Sequence, residues 1–163
     1  MDDFHTPSAY AIAWAVGLLL IGGLMTPRAE WYARLNKPSW QPPGWAFGPA
    51  WTVILGLAAW SGVIAWEAAA GPDEQRRILI LFAVNGLFHF LWSPLFFKFQ
   101  RPDWALIEVP FLWGSILALI LGLWPISQAA ALMNLPYLLW VSFAAFLNLT
   151  IVRLNPRGAV AAA

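Results

Sequence analysis

Charged residues divide this chain into long apolar runs. No Asp, Glu, Lys or Arg falls between Asp3 and Arg28, between Lys37 and Glu67, or between Arg77 and Lys98, which are runs of 24, 29 and 20 residues. A further run of 44 residues separates Glu108 from Arg153, enough for most of two spans. A helix of about 20 residues crosses a hydrocarbon core of about 30 Å. The pattern predicts helices near 8–25, 46–67, 77–98, 103–124 and 132–153, with Glu108 inside the fourth. The breaks Gly71-Pro72-Asp73, Gln100-Arg101-Pro102-Asp103 and Pro125-Ile126-Ser127-Gln128 are turn-like. Backbone groups in lipid must be bonded internally, and the alternation of barrel strands is absent, so the runs read as helices. The expected fold class is an all-α membrane protein, a five-transmembrane-helix bundle. It forms a single domain over 1–157, with a disordered tail at 158–163.

Composition agrees. Hydrophobic residues make up 61% of the 163 positions and charged residues 10%, against about 25% charged in an ordinary soluble domain. A net charge of +1 gives no argument for nucleic acid as a partner. The chain has no Cys, which excludes disulfides, thiolate chemistry and Cys-ligated metal. Its start, Met1-Asp2-Asp3-Phe4-His5, lacks the basic region of a signal peptide, so the first apolar run is expected to be retained. The loops after the first and third helices and the C-terminus hold Arg28, Arg34, Lys37, Lys98, Arg101, Arg153 and Arg157; the opposite side holds Arg76 and Arg77. The positive-inside rule then puts the C-terminus in the cytoplasm and the N-terminus outside. The expected location is a bacterial inner membrane.

Polar residues inside spans are costly and are candidates for function. The third helix carries Asn85, His89, Trp92 and Phe96 on one face. The fourth carries Trp104, Glu108, Leu112 and Ser115, and the fifth Tyr137, Trp140, Ala144 and Asn148. Trp51, Trp92, Trp104, Glu108 and Asn148 all lie toward one end of the bundle, while Asn85 and His89 sit near mid-membrane. This arrangement predicts a pocket open toward that end, walled by tryptophans, and suited to a flat aromatic ligand. For Asn148 alone, helix-to-helix hydrogen bonding is the favoured role. Glu108 has three readings: pairing with Arg153, pairing with Lys98, or capping the loop above it. Gly114, Ala118 and Gly122 form a row of small residues that predicts close helix packing. Trp14, Trp60, Trp66, Trp113 and Trp124 read as belt or lipid-facing residues.

Before the second helix runs a stretch rich in proline and tryptophan, Leu35 to Trp51, with Pro38, Pro42, Pro43, Pro49, Trp40, Trp45 and Trp51. Proline fixes φ and removes a donor, so Pro38 to Pro43 cannot be regular helix or inner strand. The stretch reads as a rigid lid over 26–45, or as an interface loop whose tryptophans anchor at the headgroups.

These residues also carry a resemblance. The pattern Pro38-x-Trp40-x-Pro42-Pro43 with Phe47 and Trp51 resembles the TspO/MBR family of tryptophan-rich sensory proteins and mitochondrial translocator proteins. So do Trp92-x-Pro94-x-Phe96-Phe97, Trp104-Ala105-Leu106, and Pro136-Tyr137-Leu138-x-Trp140 followed by Leu147-Asn148. The resemblance implies a five-helix bundle, commonly a homodimer, that binds tetrapyrroles such as protoporphyrin IX and haem. It implies a membrane receptor or carrier with no obligatory cofactor. Carried over by position, the ligand-binding residues are Trp40, Phe47, Trp51, Asn85, His89, Trp92, Trp104, Glu108, Trp140, Ala144 and Leu147. The alternative it implies is a light- and oxygen-dependent porphyrin-degrading enzyme working through Trp51 and Trp140. A scaffold with a vestigial pocket is a third reading. The sequence holds no hydrolytic triad, phosphate loop or paired carboxylates. Two departures stand out. His89 occupies a position where the family usually has Asn; the favoured role is a hydrogen bond to a neighbouring helix, as Asn would make, and the alternative is axial ligation of haem, for which imidazole is a common ligand. Leu149 follows Asn148 where the family's sterol motif needs Tyr, so that motif is broken.

Overall fold

A computed structural model describes residues 5–25 and 29–156. Seven α-helices follow in order: α1 His5–Met25, α2 Ala29–Arg34, α3 Phe47–Ala68, α4 Pro72–Ser93, α5 Pro102–Leu123, α6 Gln128–Leu132 and α7 Leu135–Leu154. Among the described residues there is no strand. Five segments of the described residues are long and apolar enough to cross a membrane: Pro7–Leu24, Gly44–Ala68, Pro72–Lys98, Pro102–Leu123 and Gln128–Leu154. The five-helix membrane fold expected from the apolar runs is the fold observed. The tail at 158–163 lies outside the described residues, as does the start of the lid.

Local chemistry explains where the helices begin. α4 starts at Pro72, ahead of the expected 77, because Pro72 suits a first helical turn and Asp73 and Glu74 follow it there. Glu74 closes the turn by accepting from the Ala70 amide at 2.7 Å. α5 likewise opens on Pro102 and Asp103. The last span is broken into α6 and α7. Ser127 caps α6, its Oγ accepting from the Ala130 amide at 3.3 Å. α4 does not end cleanly at Pro94. A π-turn carries it on from Pro94 to Lys98, with the Phe99 amide donating to the Pro94 carbonyl at 2.9 Å. Gln100 then takes φ 54°, a left-handed conformation unusual outside glycine, and Arg101 N donates back to Leu95 O at 3.0 Å.

α5 is the centre of the bundle. Half of its span is buried, against 11% for the first. Ile116, Leu119 and Leu123 on its inner face are fully buried, together with Leu55, Ala58 and Val141. A second, smaller core lies toward the ends of α5 and α7, where Leu35, Phe96, Ala105, Leu147 and Ile151 come together. Of the small-residue row on α5, Gly122 alone is tightly packed: a Cβ there would meet Leu81, while one at Gly114 would meet nothing within 4 Å. The close packing expected of the whole row is therefore limited to its last member.

Trp14 corrects another expectation. It does not face lipid as a belt residue. Its indole Nε1 donates to the Phe82 carbonyl at 3.1 Å, and its ring meets the Phe82 ring edge to face at 5.4 Å. Gly86 makes this possible, because a Cβ at Gly86 would lie 2.7 Å from that nitrogen. Gly86→Ala is expected to push the indole off the carbonyl and to cost roughly 1–3 kcal/mol, the usual cost of overpacking. Heat unfolding in detergent checks this: the midpoint should fall in Gly86→Ala, and Trp14→Leu should abolish the effect of the alanine.

Candidate functional site

The inward faces of α3, α4 and α7 meet in an aromatic cluster. Trp51, in the second turn of α3, is its hub. Its ring lies edge to face with His89 at 4.9 Å, with Tyr137 at 6.0 Å and with Trp140 at 6.2 Å between centroids. Phe47, one turn earlier on α3, touches Trp140 at 5.8 Å, and Trp140 reaches Phe143 at 5.6 Å. Nearer the end of α4, Trp92 stacks on Phe96 at 5.0 Å. These contacts follow from spacing: Phe47 and Trp51 are one helical turn apart, as are Asn85 and His89, and Tyr137 precedes Trp140 by nearly a turn.

Polar side chains tie the helices together around this cluster. Asn85 Nδ2 donates to Ser115 Oγ at 2.9 Å, and that hydroxyl donates to the Leu112 carbonyl at 2.7 Å, joining α4 to α5. His89 Nδ1 and the Tyr137 hydroxyl share a hydrogen bond of 2.7 Å, joining α4 to α7. Asn148, in the carboxamide orientation that satisfies both of its ends, donates to the Pro102 carbonyl at 3.0 Å and accepts from the Leu106 amide at 3.1 Å. It thereby completes the first turn of α5, the helix-linking role favoured for it. On the far side of the bundle Asn134 Nδ2 donates to Ser61 Oγ at 2.9 Å.

The pairing is incomplete at a few atoms. Asn85 Oδ1, the indole nitrogens of Trp92 and Trp140, and both carboxylate oxygens of Glu108 are buried without a hydrogen-bond partner. Glu108 pairs with neither Arg153 nor Lys98, both of which are exposed. Ion pairs among the described residues join Arg76 to Asp73 and Arg101 to Asp103.

The remaining sequence candidates spread outward from the cluster. Leu147 is buried in the second core, and Phe47 packs against it. Ala144 is half-buried. Trp40 lies on the outer face of α7, stacked on Phe146 at 5.3 Å and 44% exposed. Trp104 is 45% exposed and sits under the Arg101 guanidinium, 4.1 Å from its carbon. Tyr137, placed by the sequence on the polar face of the last helix though not among the ligand-binding residues, and Phe143, absent from the sequence candidates, both belong to the cluster.

The lid is more structured than its prolines suggest. It contains α2 and, at Gly44–Ala46, a 3-10 turn leading into α3. Lys37 Nζ caps α2 by donating to the Tyr32 carbonyl at 2.7 Å, and also lies over the Tyr32 ring. Burial raises the Tyr32 hydroxyl above its ordinary titration range, and as a protonated donor it reaches Gln41 Oε1 at 3.1 Å. Asn155, just past α7, fastens the lid. Its Oδ1 accepts from the Asn36 amide at 2.9 Å while its Nδ2 donates to the Asn36 carbonyl at 2.8 Å. One side chain thus pairs both backbone groups of Asn36, as a neighbouring strand would. Beside this fastening a cleft of about 630 Å³ opens between Trp31, the turn at Gln100–Asp103 and Ile151.

The chain is similar in sequence to known proteins. The TspO/MBR family profile matches residues 9–154. The tryptophan-rich protein TspO of Chlorobaculum tepidum is 36% identical over 151 residues, covering 89% of this chain and 96% of its own length. The translocator protein of Sus scrofa is 33% identical, covering 86% of this chain and 89% of its own. The tryptophan-rich protein TspO of Archaeoglobus fulgidus is 40% identical over 125 residues, 77% of this chain and 80% of its own. With its five spans and a family match across nearly the whole chain, this protein is a multi-pass membrane protein of the TspO/MBR family.

Proposed function

We propose that the protein is a membrane receptor or carrier for tetrapyrroles such as protoporphyrin IX and haem, taken into the aromatic interior between α3, α4 and α7. The observation that carries this reading is the combination found there. Trp51 and Tyr137 meet His89, and Trp140 and Phe47 extend the cluster from Trp51. Beside them lie indole donors with no acceptor. Rigid aromatic surface suits a flat macrocycle, and unpaired buried donors give it orientation. His89 retains Nε2 for a ligand while Nδ1 is held by Tyr137; axial contact with haem iron is part of this reading.

The rings touch one another, so a macrocycle reaches the cluster only when they part and the lid moves. Contact between Trp51 and Trp140 favours a second reading, light- and oxygen-dependent breakdown of bound porphyrin, because two oxidisable indoles would flank the ligand. The seven basic residues on the lid side support a cytoplasmic lid in a bacterial inner membrane.

Three outcomes are expected. Purified protein titrated with protoporphyrin IX in darkness should quench its tryptophan fluorescence saturably, and Trp51→Phe or Trp140→Phe should weaken binding about threefold to tenfold, from the loss of aromatic contact. Illumination of the same samples separates the two readings: stable porphyrin absorbance supports the receptor, and loss that depends on both indoles supports the degrading enzyme. Absence of saturable quenching in the wild type would sink both.

Asn155→Ala should release the lid. The two hydrogen bonds to Asn36 are each worth about 1 kcal/mol, so porphyrin dissociation should accelerate roughly thirtyfold, with helix content unchanged. Stopped-flow dissociation checks it. The orientation is checked by reporter fusions at Ala163, which should be active in the cytoplasm and silent outside.

A further inference from the structure

The cleft beside the lid lies outside the aromatic interior and is built differently. Its walls are α2, the turn between α4 and α5, and the end of α7. Its volume of about 630 Å³ falls within the range of ligand pockets, about 300–1,000 Å³. Buried Leu35 and Ile151 bring the second core to its surface, with Trp31 and Val152 beside them. Arg101 and Asp103 bring charge to the same space. α5 begins at Pro102 and α7 ends at Leu154, so the cleft sits where these spans leave the hydrocarbon, at the depth of lipid headgroups.

Its surroundings are cationic. Arg34, Lys98 and Arg153 are the chain neighbours of Leu35, Phe99 and Val152, which line the cleft. All three are exposed, and none forms an ion pair among the described residues. Arg101 stands in the wall itself. Its Nε and Nη2 each donate to Asp103 at 2.8 Å, and its guanidinium lies over the Trp104 ring. These contacts hold the group in place and use two of the five guanidinium N–H donors, leaving those of Nη1 for a ligand. The acids among the described lining residues and their chain neighbours are Asp103, tied to Arg101, and Glu30, next to Trp31. Four cations thus stand against two anions. An apolar floor under a cationic rim calls for an amphiphile with an anionic head. A guanidinium fork suits a phosphate, and each basic residue near a membrane surface adds about 1 kcal/mol of attraction for anionic lipid.

We propose that this cleft binds one anionic phospholipid from the leaflet on the lid side, its phosphate on Arg101 and the top of an acyl chain against Leu35 and Ile151. The bound lipid acts on the lid. Trp31 and Leu35 belong to the lid, and Asn155, which also borders the cleft, holds both backbone groups of Asn36. A lipid seated there touches both sides of that fastening and favours its closed form by mass action. This site is separate from the tetrapyrrole reading and does not depend on what the bundle interior binds.

The test needs no porphyrin. In uncharged detergent, native mass spectrometry of the full chain should show one retained phosphatidylglycerol, bound about tenfold more tightly than phosphatidylcholine with the same chains, as expected when the net charge of the head is answered by basic residues. Arg101→Gln should bring the two affinities together. Val152→Trp should do the same, because it fills the cleft and leaves every cation in place. Hydrogen exchange at the Asn36 amide, which Asn155 holds at 2.9 Å, should slow about tenfold with phosphatidylglycerol and stay unchanged with phosphatidylcholine. Equal retention of the two lipids by wild type overturns the site without any variant having to fold. A preference that survives in folded Val152→Trp or Val152→Phe marks general surface attraction and overturns the cleft. One that survives in folded Arg101→Gln or Arg101→Leu overturns the phosphate contact. Lipid retained with no change in exchange at Asn36 overturns the hold on the lid. Glycerol 3-phosphate that slows this exchange as much as the lipid does would make the site one for free phosphate and overturn the lipid.

Discussion

Lipid offers a polar group no partner, and the bundle is arranged around that constraint. Apolar faces gain little by leaving lipid for one another, so helix register cannot rest on the hydrophobic effect as it does in water. It rests instead on a few hydrogen bonds between helices. Asn85 with Ser115, His89 with Tyr137, Asn148 with the start of α5, and Asn134 with Ser61 each fix a pair of elements. Each bond contributes about 1 kcal/mol or less when made. Sliding a helix out of register would orphan two groups in hydrocarbon, at several kcal/mol apiece. The bonds specify through that penalty more than through their strength. α5 takes part in two of the four, in keeping with its central position.

The lid obeys a different rule because water is at hand. Its backbone groups have no lipid penalty to escape, so its position depends on pre-set conformation and on anchors. Pro38, Pro42 and Pro43 limit the shapes the segment can take, which lowers the entropy lost on docking. Asn155 then supplies both hydrogen bonds of a strand-like pair from a single side chain. The π-turn at Pro94–Lys98 contributes from below: it keeps Phe96 and Phe97 against Tyr32 and Trp31 after α4 has ceased to be regular. The lid is thus held in its middle by buried Leu35 and by Asn36, and beyond them by Trp40 on α7.

What the sequence made legible was periodic. Apolar runs bounded by charges located the five spans, and residues three and four apart located the faces bearing Asn85, His89, Trp92, Tyr137 and Trp140. Contacts between distant positions carried no such signal. Asn36 and Asn155 are 119 residues apart, and nothing in either neighbourhood marks them as partners. Trp14 looked like any interface tryptophan, since its fit depends on a glycine 72 positions later. Trp104 misled in the opposite way. It shares a face with Glu108, but it is the third residue of α5, where the helix has barely left the water and Arg101 can fold over it. Helical phase reports direction and is silent on depth at an end. The early start of α4 came from the same blind spot, because Asp73 and Glu74 look like loop residues until their value in a first turn is counted.

The aromatic cluster raises a question of energy that composition alone answers wrongly. Twelve tryptophans suggest a surface eager for a flat ligand, but the rings of Trp51, His89, Tyr137 and Trp140 already satisfy one another edge to face. Such pairs are worth about 0.5–1.5 kcal/mol beyond the area they bury. A ligand that slips between them must replace those contacts before it gains any, so stacking is largely an exchange. The groups that gain without losing anything are the ones left unpaired, among them Asn85 through Oδ1, Trp92 and Trp140 through their indole nitrogens and Glu108 through its carboxyl. Aromatic residues in this arrangement close the interior by packing against one another. On the proposed reading, a ligand in this interior gains from the tryptophans through their unpaired N–H as well as through their rings.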